Sequence, residues 1–389
     1  MKIVYASCSS SKSTFYKLFN ESQTMPGQQV QKYHRLLMEG MIKNNATVIS
    51  LTALPINKEN CTKKIIRLSD EVENGILYKY IPIINLKYIK NLIIFLNSFI
   101  STMRIFSKDK SSVLFCDVLN ISVSSGALLA SKIKKNRSVG IVTDLPDHLT
   151  NNKSSIITKF NNYIMNKFDS YIFLTEYMNQ RINKKHSPYI VIEGHADINM
   201  IECDNNPSNK YEKKVCIYAG GIHKRYGIKN LTEAFIEANI ENSELHIYGN
   251  GDYEQELLDI CKWNESIKYF GVKANDYILK EQLKATLLIN PRPTGEEFTK
   301  YSFPSKNLEY MASGTPVLTT LLPGMPIEYY DYVYLIQDDN ITGIKKSLTE
   351  VLELSPEILH EKGGKAKMFV INEKNNKIQA KKIFSLLEG

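Results

Sequence analysis

The sequence predicts an α/β protein built from two doubly wound parallel sheets. Three observations carry this. Short apolar strands alternate with amphipathic helical segments along all 389 residues, the pattern of strand–helix–strand units that close on a parallel sheet. The alternation stops at a polar, turn-rich segment, Asp204-Asn205-Asn206-Pro207-Ser208-Asn209-Lys210, and then restarts. Near the end, an apolar strand feeds a polar loop and then a helix, the arrangement in which unpartnered backbone N–H groups receive an anion.

In order along the chain, the first set of strands is expected at Lys2–Tyr5, Thr47–Leu51, Leu77–Ile81, Val113–Asp117, Ser138–Thr143, Ser170–Leu174 and Tyr189–Ile192, with helices such as Val30–Lys43 and Ser122–Lys134 between them. The second set is expected at Lys214–Tyr218, Glu244–Tyr248, Ile267–Phe270, Leu287–Asn290 and Val317–Thr319. Residues 1–200 then form one domain and 201–370 the other. The final stretch, Pro356 to Leu387, is too long for one helix, and Gly363-Gly364 and Asn372 offer breaks.

The most apolar stretch is Tyr88 to Phe106, with Leu92, Ile93, Ile94, Phe95, Leu96, Phe99, Ile100, Met103 and Ile105. Lys87, Lys90, Arg104, Lys108 and Lys110 stand around it. Asn91, Asn97 and Ser98 interrupt it, which argues against a spanning helix. A core helix with basic ends and a helix lying in a membrane interface both fit.

Hydrophobic content of 43% and charged content of 23% are those of a soluble globular protein. The net charge of +8 suits an anionic small substrate or an anionic membrane surface, and no nucleic-acid-binding motif accompanies it. The six cysteines are scattered without metal-ligand spacing, which reads as reduced thiols of the cytoplasm. Met1 to Ser7 reads as a first buried strand rather than a leader segment. The expected location is the cytoplasm, with peripheral contact on the inner face of the cell membrane.

The stretch with most chemistry is Thr299-Lys300-Tyr301-Ser302-Phe303-Pro304-Ser305-Lys306-Asn307-Leu308-Glu309-Tyr310-Met311-Ala312-Ser313-Gly314-Thr315-Pro316-Val317. Pro304 marks a helix start and Gly314 its stop. Glu309 lies inside the helix, beyond reach of a phosphate at its start, where it can accept from a pair of ribose hydroxyls. Phosphate and ribose sites so spaced describe a nucleotide diphosphate.

These residues resemble the GT-B glycosyltransferases, specifically the retaining family 4, whose "EAMAxGxPV" signature Glu309 to Val317 matches closely. The resemblance implies two Rossmann-like domains facing across a cleft, with residues 371–389 returning as a helix to the first. It implies transfer of a sugar from a nucleotide diphosphate sugar with no cofactor. The donor is expected to be a UDP-sugar, with a GDP-sugar as the alternative. The acceptor is expected to be a glycan or lipid-linked glycan of a surface polysaccharide.

By the same resemblance Glu309 binds the donor ribose. The family's "GRxxxxKG" diphosphate clasp falls on Tyr218-Ala219-Gly220-Gly221-Ile222-His223-Lys224-Arg225-Tyr226-Gly227. Here Gly221 stands at the Arg position and Tyr226 at the Lys position, so Lys224 and Arg225 are expected to substitute, Arg225 foremost. Tyr248-Gly249-Asn250-Gly251 matches a turn near the nucleotide, and Val272 lies in the loop that meets the base. The family's first Glu, eight residues before Glu309, is Tyr301 here. Backbone amides near Lys300, Tyr301 and Ser302 are expected to hold sugar and phosphate, with Lys306 also reaching phosphate and Lys300 serving the chemistry.

In the first domain, Gly27 and Gln28 occupy the loop that in the family lies against donor and acceptor. Thr143-Asp144-Leu145-Pro146-Asp147-His148 follows a strand end, where open α/β sheets place ligands. Asp144 is expected to accept a hydroxyl proton or orient the sugar, with His148 nearby. No Asp-x-Asp metal motif is present, so a metal-free reaction is expected. The acidic pair Asp338-Asp339 reads instead as part of a helix cap at Asp339-Asn340. Two alternatives stay open: a nucleotide-sugar epimerase of the same fold, and a catalytically weakened sugar-nucleotide-binding partner subunit.

Overall fold

The computed structural model describes residues 1–19, 26–87, 89–145 and 156–388. The chain divides into two compact units, Met1–His195 with Asn376–Gly389, and Ala196–Asn375.

The strands of the first unit are β1 (Lys2–Ser7), β2 (Thr47–Thr52), β3 (Ile65–Ile66), β4 (Glu71–Glu73), β5 (Ile76–Tyr80), β6 (Ile83–Ile84), β7 (Val113–Asp117), β8 (Ser138–Val142), β9 (Ser170–Phe173) and β10 (Tyr189–Val191). Eight of them form one sheet in the order β10-β9-β8-β7-β1-β2-β5-β4, and β3 pairs with β6 apart from it. The large sheet is parallel except for the antiparallel edge strand β4. Every residue of β7 and β8 is buried, as expected of a parallel sheet covered on both faces.

The helices of this unit are α1 (Lys12–Phe19), α2 (Gln28–Lys43), α3 (Lys90–Lys108), α4 (Ile121–Lys134), α5 (Ile156–Met165) and α6 (Glu176–Ile182), with α13 (Asn376–Glu388) at the chain end. Helices α3 and α4 approach so closely that a Cβ on Gly126 would lie 2.3 Å from the Phe95 carbonyl oxygen. The Ser98 hydroxyl donates across the same contact to the Val123 carbonyl at 2.7 Å. On α3, Ile94, Ser98, Thr102 and Phe106 are buried, while Leu92, Leu96 and Ile100 stay exposed. Helix α13 packs on α2, with the Asn376 side chain donating to the Leu36 carbonyl at 3.0 Å.

The second unit holds β11 (Lys214–Ala219), β12 (Ser243–Tyr248), β13 (Ile267–Tyr269), β14 (Leu287–Asn290), β15 (Val317–Thr320) and β16 (Tyr334–Ile336). They form one parallel sheet in the order β13-β12-β11-β14-β15-β16. Its helices are α7 (Ile228–Ala238), α8 (Glu254–Trp263), α9 (Asn275–Lys284), α10 (Ser305–Ser313), α11 (Ile341–Leu352) and α12 (Pro356–Glu373). Apolar side chains cover both faces of the sheet in two clusters, one including Leu231, Ile247, Leu287 and Leu348, the other Ile217, Leu288, Met311 and Val370.

The expected helix breaks at Gly363-Gly364 and Asn372 are not used. Helix α12 runs through them to Glu373, and the interruption falls at Lys374 and Asn375. Gly363 serves packing instead: a Cβ there would lie 2.1 Å from the Gly314 carbonyl oxygen. A glycine inside a helix weakens it by only about 1 kcal/mol, which close helix contact offsets.

Candidate active site

Strand β11 ends in Gly220 and Gly221, and the chain turns through a short 3-10 helix, Lys224–Tyr226, into α7 at Gly227 with φ +80°. Only a glycine takes that left-handed conformation without strain. A Cβ on Gly249 would lie 1.7 Å from the Gly220 carbonyl oxygen, and one on Gly251 would lie 2.4 Å from the Ile222 carbonyl oxygen. These glycines are therefore set by the contact of one turn on the other. Tyr248 is buried and stacks on Phe270 with centroids 4.9 Å apart. Val272 is exposed.

Helix α10 lies behind the Gly220 turn. It begins after Pro304 and ends at Gly314, with φ +80° there, the usual left-handed stop. The Asn290 side chain donates to the Asn307 side-chain Oδ1 at 2.8 Å, and the Asn307 side-chain amide donates to the Thr319 hydroxyl at 3.2 Å. These bonds fix the first turn of α10 to β14 and β15. The Tyr310 hydroxyl accepts from the Ala219 amide at 2.9 Å. Glu309 is half-buried on this helix.

Lys306 is also half-buried, and its ammonium lies 5.0 Å from the centre of the Tyr218 ring. Burial first, and then the Arg292 charge, lower its pKa to about 7, with Glu309 opposing both. Arg292 comes from the loop after β14 and was not among the residues singled out from sequence. Its guanidinium lies 4.7 Å from the centre of the Tyr226 ring and 5.7 Å from that of Phe298, within cation–π range. Its position between two prolines reads as turn chemistry, and nothing in the sequence links it to Tyr226.

The helix cap expected at Asp339-Asn340 falls on Asn340. Asn340 caps α11, accepting from the Gly343 amide at 2.8 Å. Asp339 instead accepts from the Thr294 amide at 2.5 Å and the Thr294 hydroxyl at 2.7 Å. It thereby anchors the loop that carries Arg292.

Residues 201–369 match the family model of the glycosyl transferases group 1. No curated protein matches the chain in sequence. Among solved structures, the chain is similar to sucrose-phosphate synthase from Thermosynechococcus elongatus, at 14% identity and TM-score 0.72, covering 100% of this chain and 98% of the other. It is similar to Anabaena HepE in complex with UDP, at 14% identity and TM-score 0.68, with both chains fully covered. A HepE complex with UDP-glucose matches at 15% identity and TM-score 0.65, over 99% of each chain. The fold is that of the GT-B glycosyltransferases.

In the second unit, the cations expected from sequence sit differently from one another. Lys224 is exposed and pairs with Glu256. Arg225 is exposed, with its guanidinium 5.0 Å from the centre of the Tyr226 ring and a hydrogen bond of 3.2 Å to the Tyr226 hydroxyl. Lys300 closes a 3-10 turn, Glu297–Lys300, and is exposed. Tyr301 and Ser302 are half-buried beyond it. Thus Gly220, Gly221, Lys306 and Tyr226 cluster around one turn, with Arg225 at its rim.

In the first unit, Gly27 precedes α2 with φ −55°, and no atom lies within 4 Å of a Cβ built there. A side chain would fit, so no close contact dictates glycine at that position. Gln28 begins α2. Asp144 follows β8, and its carboxylate accepts from the Leu145 amide at 2.8 Å, a turn-forming bond. His148 and Asp147 lie outside the described residues. Among the described residues, no group of three His, Cys, Asp or Glu side chains is placed to hold a metal ion.

Proposed function

We propose that this protein is a retaining glycosyltransferase that moves a sugar from a UDP-sugar to a glycan acceptor in surface polysaccharide synthesis. The observation that carries this is the group 1 domain itself, in which the glycine turn at Gly220-Gly221, the Lys306 ammonium and the start of α10 meet, with Glu309 further along the same helix. Backbone N–H groups and cations receive the diphosphate, and Glu309 accepts from the ribose hydroxyls. As the anomeric bond breaks, negative charge grows on the departing diphosphate, and these groups stabilise it without a metal. Lys300, Tyr301 and Ser302 hold the transferred sugar and its phosphate in this reading. HepE, which shares the fold, has been captured with UDP and with UDP-glucose, which favours a uridine donor here.

Asp144, with His148, serves the acceptor hydroxyl, and Gly27 and Gln28 also contribute. The exposed Leu92, Leu96 and Ile100 on α3, among basic residues, support peripheral contact with an anionic membrane and a lipid-linked acceptor.

A thermal-shift panel of UDP-, GDP- and CMP-sugars in excess EDTA tests this reading. UDP-sugars should stabilise the protein, and the stabilising donor should be turned over with EDTA present. Absence of any shift across the panel would overturn the donor assignment. Activity that requires added magnesium or manganese would overturn the metal-free mechanism.

A further inference from the structure

The positions at which a group 1 enzyme is expected to present an arginine and a lysine hold Gly221 and Tyr226. The space over Gly221 is already filled. A Cβ there would lie 3.1 Å from a ring carbon of His223 and 3.3 Å from one of Tyr226. Those two rings stand edge to face with centroids 5.3 Å apart. An aromatic roof has taken the place of the clasp, so the positive charge must come from another element.

Among the described residues, Lys224, Arg225, Arg292 and Lys306 lie on or near this turn. Lys224 points to Glu256 and is exposed. Arg225 is exposed at the rim. Lys306 and Arg292 are half-buried, and there a charge acts through a lower effective dielectric than at an exposed site. Their electrostatic coupling is direct, since the Arg292 charge disfavours the protonated Lys306. Arg292 lies over the Tyr226 ring and Lys306 over the Tyr218 ring of the same turn, and an anion bound to both replaces the repulsion of two cations with two attractions. The loop carrying Arg292 is held at both ends of its turn: Thr320 donates its hydroxyl to the Arg292 carbonyl at 2.5 Å, and Asp339 holds Thr294. A guanidinium held over an aromatic ring retains a planar fork of N–H groups suited to a bidentate phosphate contact.

We propose that Arg292, paired with Lys306, is the residue that binds the donor diphosphate, and that Arg225 acts only at the rim. This rests on the nucleotide-sugar reading above. The charge pair reaches the turn from β14 and α10 rather than from the loop after β11.

Calorimetry of UDP and uridine binding to the full chain tests it, with GDP and guanosine as the second pair. Arg292→Gln should weaken UDP binding about tenfold to a hundredfold, the range of one charge-assisted hydrogen bond, and should leave uridine within about twofold. Arg225→Gln should change the UDP-to-uridine ratio several-fold less. Arg292→Lys, which keeps the charge and loses the planar fork, should fall between wild type and Arg292→Gln, and it carries the test if thermal melting shows Arg292→Gln to be misfolded. A merely structural Arg292 would lower UDP and uridine affinity in parallel, and that result overturns the proposal. So does a larger loss of the ratio in Arg225→Gln. If the wild-type protein binds neither UDP nor GDP, the donor reading itself fails and this inference falls with it. If it binds a diphosphate whose ratio Arg292→Gln leaves intact, only this inference fails.

Discussion

The Lys306 ammonium fills the space that a side chain on Gly220 would need. Its Nζ lies 1.3 Å, and its Cε 2.5 Å, from the position of a Cβ built on Gly220. The end of β11 and the first turn of α10 are thus fitted to each other through one cation and one missing methyl group. The tip of a lysine is flexible, so the fit is adjustable at small cost to the fold.

Gly220→Ala should therefore separate binding from folding. The new methyl group displaces the Lys306 ammonium without meeting backbone. Melting temperature should stay within a few degrees, which corresponds to about 1 kcal/mol or less. Affinity for the diphosphate of the donor should fall by about tenfold or more, as for loss of a charged hydrogen-bond donor. Unchanged UDP affinity in calorimetry would detach Lys306 from the phosphate.

Gly249→Ala should do the reverse. Its φ is +131°, and the Cβ would lie 1.7 Å from a backbone oxygen, that of Gly220. Neither strain nor clash can be relieved by a side-chain rotation. A loss of about 3 kcal/mol or more is expected from the two costs together, read by chemical denaturation. A variant as stable as wild type would mean that the two turns are not in contact.

Lys306 also gives a pH dependence whose sign follows from its lowered pKa of about 7. In the unfolded chain this lysine keeps its proton to about 10.5. Between those values the unfolded state holds more protons than the folded one, so this group's contribution to stability rises with pH across that window. Ligand binding has the opposite sign. A diphosphate favours the ammonium, so affinity should fall as pH rises above about 7, and binding near pH 8 should take up protons. Calorimetry in two buffers of different ionisation enthalpy measures that uptake. Lys306→Arg, charged throughout, should abolish it, and a wild-type protein that takes up no protons would remove Lys306 from the site.

The strands were legible because parallel strands buried on both faces write short apolar runs: Val113–Asp117 and Leu287–Asn290 are read from sequence with their observed bounds. The edge strand β4, Glu-Val-Glu, was not, since none of its residues is buried and it carries no apolar run; the three-residue β16 also went unread. The glycine turn and the α10 stop are local chemistry and were readable. Arg292, Asp339 and Gly363 act through partners distant in the chain, Tyr226, Thr294 and Gly314, and no local pattern announces such contacts.

Glu309→Ala should weaken donor binding by about 1.5–3 kcal/mol, the value of a charge-assisted hydrogen bond. The ribose assignment makes a sharper demand. Replacing UDP by its 2′-deoxy analogue should cost affinity in the wild-type protein and almost none in the variant, because the partner of the hydroxyl is already gone. Equal costs in both proteins would place Glu309 away from the ribose.

The membrane contact depends on which basic residues of α3 face solvent. Lys90 does not: its ammonium donates to the Ile56 carbonyl, and burial lowers its pKa. Charge reversal there should destabilise the first unit rather than act on lipid. Lys87, Arg104, Lys108 and Lys110 are exposed, and attraction to an anionic surface amounts to about 1 kcal/mol for each basic residue near it. Leu92 is 57% exposed on the same helix, with Leu96 and Ile100 at successive turns, so the apolar stripe is available to enter the interface. Flotation with anionic vesicles at low salt should recover the protein, and recovery should fall steeply as salt rises. Arg104→Glu with Lys108→Glu should reduce it, and Leu96→Ser should reduce it at constant charge. Recovery lost in the charge variants but not in Leu96→Ser would indicate a purely electrostatic encounter. No flotation of the wild-type protein at low salt would leave a soluble glycan as the acceptor, with the exposed leucines as the outer edge of an ordinary core helix.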